Sequence, residues 1–380
     1  MRTDLAFYIA AFLMDMCAGL IAFSVPLLAL DLGASAIELG VIGTSGSVAY
    51  TLGCLFTGKL ADRHDRKTLM IIASAGIAGV LGLVMVVREV WMLAITTALI
   101  SSMGALFWPA LQAGLAEGHN RAQLVRVLGN FNMVWAIGFM NGPLLGGAFY
   151  EIHPRLPFAV GLIATAVIVA LLTLIRIRPV HDVSNPELET PDPAHLREIP
   201  RFRNIAWMAS FTAFFCLSML TNQFPKLAKE LVIAPSILGI MLALPRVVQF
   251  LIFMAARHTH RWQFRLYPLL VPQMVAVLGM TVVATQHSPV LLATAFCGVG
   301  LLIGSSFSAG QFYSFFHEKK KGEVGALNEM IIGMSNFSAP LVGGILAHTV
   351  GLRAPYILCI PVLCIGMVVE YRLARQNQNG

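Results

Sequence analysis

Two ionisable side chains sit where hydrocarbon would make them costly, and any chemistry in this chain has to be built around them. Asp15 lies about ten residues into an apolar block, roughly 15 Å of helical rise. An acid at that depth must be paired, hydrated or protonated. It can bind a proton, anchor a cationic ligand, or act as a hydrogen-bonded structural group. Arg246 lies equally deep in another block, and Gln249, three residues on, shares its helical face. Arginine keeps its charge, so Arg246 is expected to face a wet cavity or a carboxylate. It can hold an anionic ligand group, form a permanent structural pair, or serve as the counter-ion that Asp15 loses on protonation. Coupling of Asp15 to Arg246 predicts that Asp15→Asn abolishes any pH dependence.

Polar and aromatic residues at helical spacing are the next candidates, since together they can line a ligand cavity. Trp108 and Gln112 share a face, as do Asn132 and Trp135. Asn222 and Gln223 end one apolar block, and Gln311 and Tyr313 end another. Asn328 and Asn336 lie on similar sides of a third. Any one of these can instead bond between helices or anchor at an interface. Glu38 and Glu329 sit near block ends and are expected to be solvated or gate-forming.

The elements that position these residues follow from composition. Of 380 residues, 57% are hydrophobic and 12% charged, against roughly 25% charged in a soluble protein. The apolar residues fall into twelve blocks: 5–30, 36–57, 69–87, 91–113, 127–149, 157–175, 204–225, 236–256, 266–285, 289–313, 324–348 and 354–371. Blocks of about 20 residues span a bilayer as helices. The first is too long for a cleavable signal, and no small-residue cleavage site follows it. Residues 177–203, rich in Pro and acid and then basic, read as a cytoplasmic linker between bundles at 1–176 and 204–380.

The formal charge of +7 does not point to nucleic acid. Most of the 26 Lys and Arg fall in alternate loops, which places both termini in the cytoplasm. The six cysteines all lie in apolar blocks without ligand spacing, so no disulfide or metal site is expected. There is no P-loop, nucleophile elbow or His cluster, so neither ATP-driven transport by this chain nor an enzyme is indicated. The halves repeat: Pro143-Leu-Leu-Gly-Gly147 recurs as Pro340-Leu-Val-Gly-Gly344, and Pro26 and Leu39-Gly40 recur at nearly the same spacing as Pro225 and Leu238-Gly239. This indicates two parallel six-helix halves, with a ligand site between them near the midplane.

The loop Gly58-Lys-Leu-Ala-Asp62-Arg63-His-Asp-Arg66-Lys67 resembles the signature of the major facilitator superfamily, G-x-x-x-D-R/K-x-G-R/K-R/K. It departs only at Asp65, where the family has Gly. Gly permits φ > 0, which Asp tolerates better than most residues. The resemblance implies an all-α integral membrane fold of twelve transmembrane helices in two pseudo-symmetric bundles. It also implies that Gly58, Asp62, Arg63, Arg66 and Lys67 latch the halves in one access state. Gly138-x-x-x-Gly142-Pro143-x-x-Gly146-Gly147 is similar to an element of drug/proton antiporters in that superfamily. Its glycines form a flat strip for close packing, as Gly343 and Gly344 beside Pro340 do in the second half. Exporters of that kind often carry an Arg four residues before a block 4 Gly; before Gly104 that position is Ile100.

The expectation is a secondary transporter in a bacterial inner membrane. It works by alternating access as a monomer, without a cofactor, on a small-molecule substrate within the lipid bilayer and with the proton gradient as energy source. Proton-coupled export of small amphipathic compounds comes first, on Asp15 and the glycine element. Proton-coupled uptake of an organic anion or metabolite is the alternative, on Arg246. A non-transporting receptor comes third, disfavoured because the longest polar stretch is too short for a soluble module.

Overall fold

Inside hydrocarbon no water satisfies peptide N–H and C=O groups, so long apolar blocks must become helices. The computed structural model describes residues 3–61, 64–116, 121–175, 193–259, 261–315 and 321–375. They form twelve helices: α1 Thr3–Asp31, α2 Ala36–Ala61, α3 Arg66–Val84, α4 Val90–Ala116, α5 Arg121–Ile152, α6 Leu156–Leu174, α7 Pro193–Glu230, α8 Pro235–His258, α9 Tyr267–Thr285, α10 Pro289–Phe315, α11 Lys321–Thr349 and α12 Ala354–Arg375. Among the described residues, ten of them carry a stretch long and apolar enough to cross a membrane.

Each expected block is a helix. The largest departure is α7, which begins at Pro193 rather than near 204 and so starts within the stretch expected as linker. Pro193 opens it and Pro200 lies in its second turn. Proline is well tolerated in a first turn, where its missing N–H has no partner to lose. The Glu198–Arg201 pair, at 2.8 Å one turn apart, supports this entry segment.

The chain divides into two units. Unit 1 holds residues Met1–Ala34, Val41–Leu188 and Ala234–Ala243; unit 2 holds Ser35–Gly40, Glu189–Ile233 and Leu244–Gly380. In unit 1, α1 packs on α4, α5 and α6, and α3 on α4 and α6. In unit 2, α7 packs on α10, α11 and α12, and α9 on α10 and α12, the same scheme six helices later. Gly46 and Gly53 of α2 meet Thr97 and Ala105 of α4, just as Gly300 and Gly304 of α10 meet Pro245 and Ile252 of α8.

The repeat extends into the turns. After α1, Ala34 N–H reaches back to Ala29 C=O (2.9 Å); after α7, Ile233 N–H reaches Ala228 C=O (2.9 Å). This six-to-one closure needs a left-handed residue just past the helix. Gly33 supplies it at φ 89°, whereas Val232 must adopt φ 57°. At the far ends of α3 and α9, matching arginines cap exposed carbonyls. Arg155 donates to Met85 and Val87 C=O, and Arg353 donates to Ala284 and Gln286 C=O (3.0 and 3.1 Å). A guanidinium suits helix C-terminal carbonyls both as a donor and as a charge.

Candidate functional site

Asp15 is fully buried in α1. Its depth comes from the glycine strip of α5, which lets the two backbones approach. A methyl group placed on Gly138 would lie 2.6 Å from Asp15 Cβ. One turn on, a methyl on Gly142 would lie 2.4 Å from Gly19 Cα, and on Gly146 it would lie 2.8 Å from the Phe23 ring. Three successive turns of α5 therefore carry hydrogen because α1 occupies the space of a side chain.

The same element meets α8. Gly147 faces Pro235 C=O and Gly239, and a methyl on Gly239 would lie 2.4 Å from Pro143 C=O. Glu151, at the end of α5, accepts from Ser236 N–H at 3.0 Å, close to the exposed N-terminus of α8. Unit 2 repeats this contact between α2 and α11. A methyl on Gly40 would lie 2.5 Å from Pro340 C=O, and one on Gly344 would lie 2.6 Å from Ala36 C=O. Ser35 and Glu38 close the start of α2 with reciprocal bonds of 2.7 and 3.2 Å, a capping box. The sequence elements that repeat are thus the ones in closest contact. Gly343 faces Met219 and Gln223 of α7.

Of the other expected cavity residues in unit 1, Trp108 stacks edge-on with Phe107 (5.1 Å) and Phe131 (6.2 Å), which brings α4 beside α5 next to Asn132. Trp135 packs on Phe139 at 6.4 Å. Gln112 is exposed.

In unit 2, Arg246 is 8% exposed and donates to Gln249 Oε1 at 2.8 Å, as their spacing predicts. Gln249 Nε2 has no hydrogen-bond partner among the described residues, nor do Gln223 Oε1 and Asn328 Oδ1. Buried amides left short of a partner need a water or ligand to complete them. Gln223 also donates to Pro340 C=O (3.2 Å), and Asn222 to Ser218 C=O (3.0 Å). Gln311 and Asn336 are half-buried, and Glu329 is exposed. Tyr313 stands apart from Gln311. It is buried among Phe202, Phe264 and Trp262, and its hydroxyl accepts from Phe264 N–H at 2.6 Å. That is the position of a packed core residue.

The signature loop is partly visible. Asp62 and Arg63 lie outside the described residues, as do the surroundings of Gly58. Asp65 does not take the left-handed conformation that Gly permits at this place in the motif; its φ is −59°. It caps α3 instead, accepting from Thr68 N–H (2.9 Å) and Thr68 O–H (2.7 Å). These bonds hold its carboxyl below the ordinary range. A carboxylate at a helix N-cap needs no positive φ, so the cap replaces the glycine turn. Arg66 donates to Ala113 C=O near the end of α4 (2.8 Å), and Lys67 to Ile175 C=O after α6 (2.6 Å). Three consecutive residues thus fasten three helix ends of unit 1.

One buried acid escaped the sequence reading. Glu370 of α12 is fully buried, and both its oxygens lie 2.7 Å from Gln273 Nε2 of α9. It sits at the edge of its apolar block, two residues before Arg372. The available signal was Gln273, a lone amide in an apolar block, which needs a partner in lipid.

Residues 7–317 match the sequence profile of the Major Facilitator Superfamily. Multidrug resistance protein 1 of Bacillus subtilis (strain 168) is 24% identical over 355 residues, covering 87% of this chain and 88% of that protein. Quinolone resistance protein NorA of Staphylococcus aureus (strain COL) is 24% identical over 395 residues, covering 98% of each. Among solved structures, a bacterial homolog to the human lysosomal transporter Spinster matches with TM-score 0.81 at 14% identity, over 99% of this chain and 97% of that one. The nucleoside transporter NupG matches with TM-score 0.74 at 13% identity, over 99% and 100%. At these identities the solved structures speak for the fold alone. The profile spans well over half of the chain and agrees with the twelve helices: this multi-pass membrane transporter, which is not an enzyme, belongs to the Major Facilitator Superfamily.

Proposed function

We propose that the protein exports small amphipathic compounds across a bacterial inner membrane in exchange for protons. The observation that carries this reading is Asp15, wholly buried in α1 against the Gly138 strip of α5. A carboxylate at that depth is costly to keep ionised, so it alternates between a proton and a cationic or polar substrate. The relatives named for multidrug and quinolone resistance favour the same direction. In this reading both termini are cytoplasmic, residues 177–203 link the bundles, no cofactor is needed, and the chain works as a monomer. The Gly58–Lys67 loop steadies one access state.

Everted vesicles with a pH-sensitive dye provide the test. Cationic and neutral amphiphiles, quinolones included, are expected to collapse the pH gradient with the intact protein and not with Asp15→Asn. A second reading, proton-coupled uptake of an organic anion, rests on buried Arg246 and the incompletely bonded Gln249 amide. If only carboxylates move protons, and Arg246→Ala abolishes that response, uptake replaces export.

A further inference from the structure

Glu370 lies just over a turn from the end of α12, yet it is fully buried between α7, α9 and α12. The polar groups around it form a chain. Thr212 Oγ1 is 3.0 Å from Ala209 C=O and 3.3 Å from Gln273 Oε1, and Gln273 Nε2 is 2.7 Å from both Glu370 oxygens. The space is closed on both sides. One turn before Glu370, a methyl on Gly366 would lie 2.7 Å from Thr212 Cγ2 and 3.3 Å from Gln273 Oε1. One turn after it, Leu373 packs on the core of Phe202, Ile205, Ala209, Leu269 and Tyr313.

No cation pairs with Glu370 among the described residues. On α7, Arg201 is bonded to Glu198 and Arg203 lies over Trp207. On α12, Arg375 lies over the Tyr371 ring at 4.6 Å, and Arg372 lines the outer groove between α9 and α12. From α10, Tyr313 is engaged by Phe264 N–H. Cys216 and Cys359 meet each other farther along the α7–α12 contact. On α9 the titratable side chain is Tyr267, exposed at the helix start, and on α11 Glu329 is also exposed.

A single amide N–H does not balance a full charge in such a dry site; a carboxylate left there takes up a proton instead. We propose that Glu370, Gln273 and Thr212 form a proton-binding site within unit 2, distinct from Asp15, in which Glu370 carries a proton at neutral pH. The chain accommodates both states through the amide. With the carboxylate ionised, Gln273 donates N–H to Glu370 and accepts from Thr212. With the carboxyl protonated, the amide turns over: Glu370 O–H donates to Gln273 Oε1, Gln273 N–H donates to Thr212 Oγ1, and Thr212 O–H donates to Ala209 C=O. Each link of the line then has a donor and an acceptor, and the amide gives up the 3.4 Å approach of its second N–H to Leu269 C=O. One proton added to the carboxylate, with no other covalent change, re-forms these hydrogen bonds in the opposite sense and reverses the polarity of a chain joining three helices.

Infrared spectra of the purified protein in lipid vesicles test this without reference to any substrate, so failure of the export reading would not affect the result. At neutral pH the wild type is expected to show a protonated-carboxyl C=O band that is lost in Glu370→Gln and retained in Asp15→Asn. Gln273→Leu keeps the acid and removes its partner; the band should persist and move to higher frequency. Thr212→Val should move it in the same sense by less. A Glu370→Gln spectrum identical to wild type in the carboxyl region means that Glu370 is ionised, and overturns the proposal. A band that Gln273→Leu leaves in place overturns the amide switch.

Discussion

α5 and α11 carry the same Pro-Leu-x-Gly-Gly element, yet they lean on their neighbours in different ways. When the two are matched on their prolines, Gly138 and Gly142 of α5 correspond to Ser335 and Ala339 of α11. Against α1, the first seam is backbone on backbone, with Gly142 on Gly19. Against α7, the second seam tolerates a buried hydroxyl and a methyl, and its glycine, Gly343, meets side-chain atoms of Met219 and Gln223. A seam of backbone cannot yield, whereas a thioether can turn aside. The rigid seam is the one that holds Asp15. Duplication preserved the frame, and divergence made one copy stiff where a buried acid is carried.

The sharpest way to break this comparison is to add the same methyl to both seams. Gly142→Ala forces Gly19 backbone to move and is expected to cost about 3 kcal/mol, enough to lower folded yield and abolish transport. Gly343→Ala displaces side-chain atoms of Met219 and Gln223 rather than backbone, so it should cost about 1 kcal/mol and leave transport measurable. Thermal unfolding in detergent reads both; equal losses would erase the distinction drawn between the seams.

A smaller and symmetric effect is expected at the capping arginines. Arg155→Ala and Arg353→Ala each remove two charge-assisted bonds to helix-end carbonyls, and each should cost about 2 kcal/mol. A large inequality would show that only one unit depends on its cap. The smallest effect has the opposite sign. Val232 is 90% exposed and holds a positive φ where its counterpart is Gly33, so it contributes strain without packing. Val232→Gly should stabilise by about 1 kcal/mol, and Gly33→Val should destabilise by a similar amount. Circular-dichroism melts of the two variants check the pair.

The fold was legible because bilayer thickness stamps itself on block length, and because the paired elements Pro143–Gly147 and Pro340–Gly344 survived duplication. The matched Arg155 and Arg353 were visible only as loop charges, since their carbonyl partners are far away in sequence. Asp65 was visible only as the departure from the motif; that its side chain caps α3 through Thr68 shows once the helix start is placed. Asp15 and Arg246 stood out by depth. Glu370 did not, because depth along a helix says nothing about how completely neighbouring helices cover its last turns. Gln273 was the available hint: a partner for an acid in another block becomes visible only once α9 and α12 are brought together.

The exchanged helix starts have a consequence for biosynthesis. Ser35–Gly40 belong with unit 2, where Gly40 rests on Pro340 and Gly344 of α11. As the chain leaves the ribosome, the start of α2 is delivered to the membrane long before its partner exists. The first half can gather its own helices as they emerge, but the contact of the α2 start with α11 waits until nearly the whole polypeptide has been made. Nascent chains stalled before α11 therefore lack the Pro340 and Gly344 surface on which Gly40 and Ala36 rest.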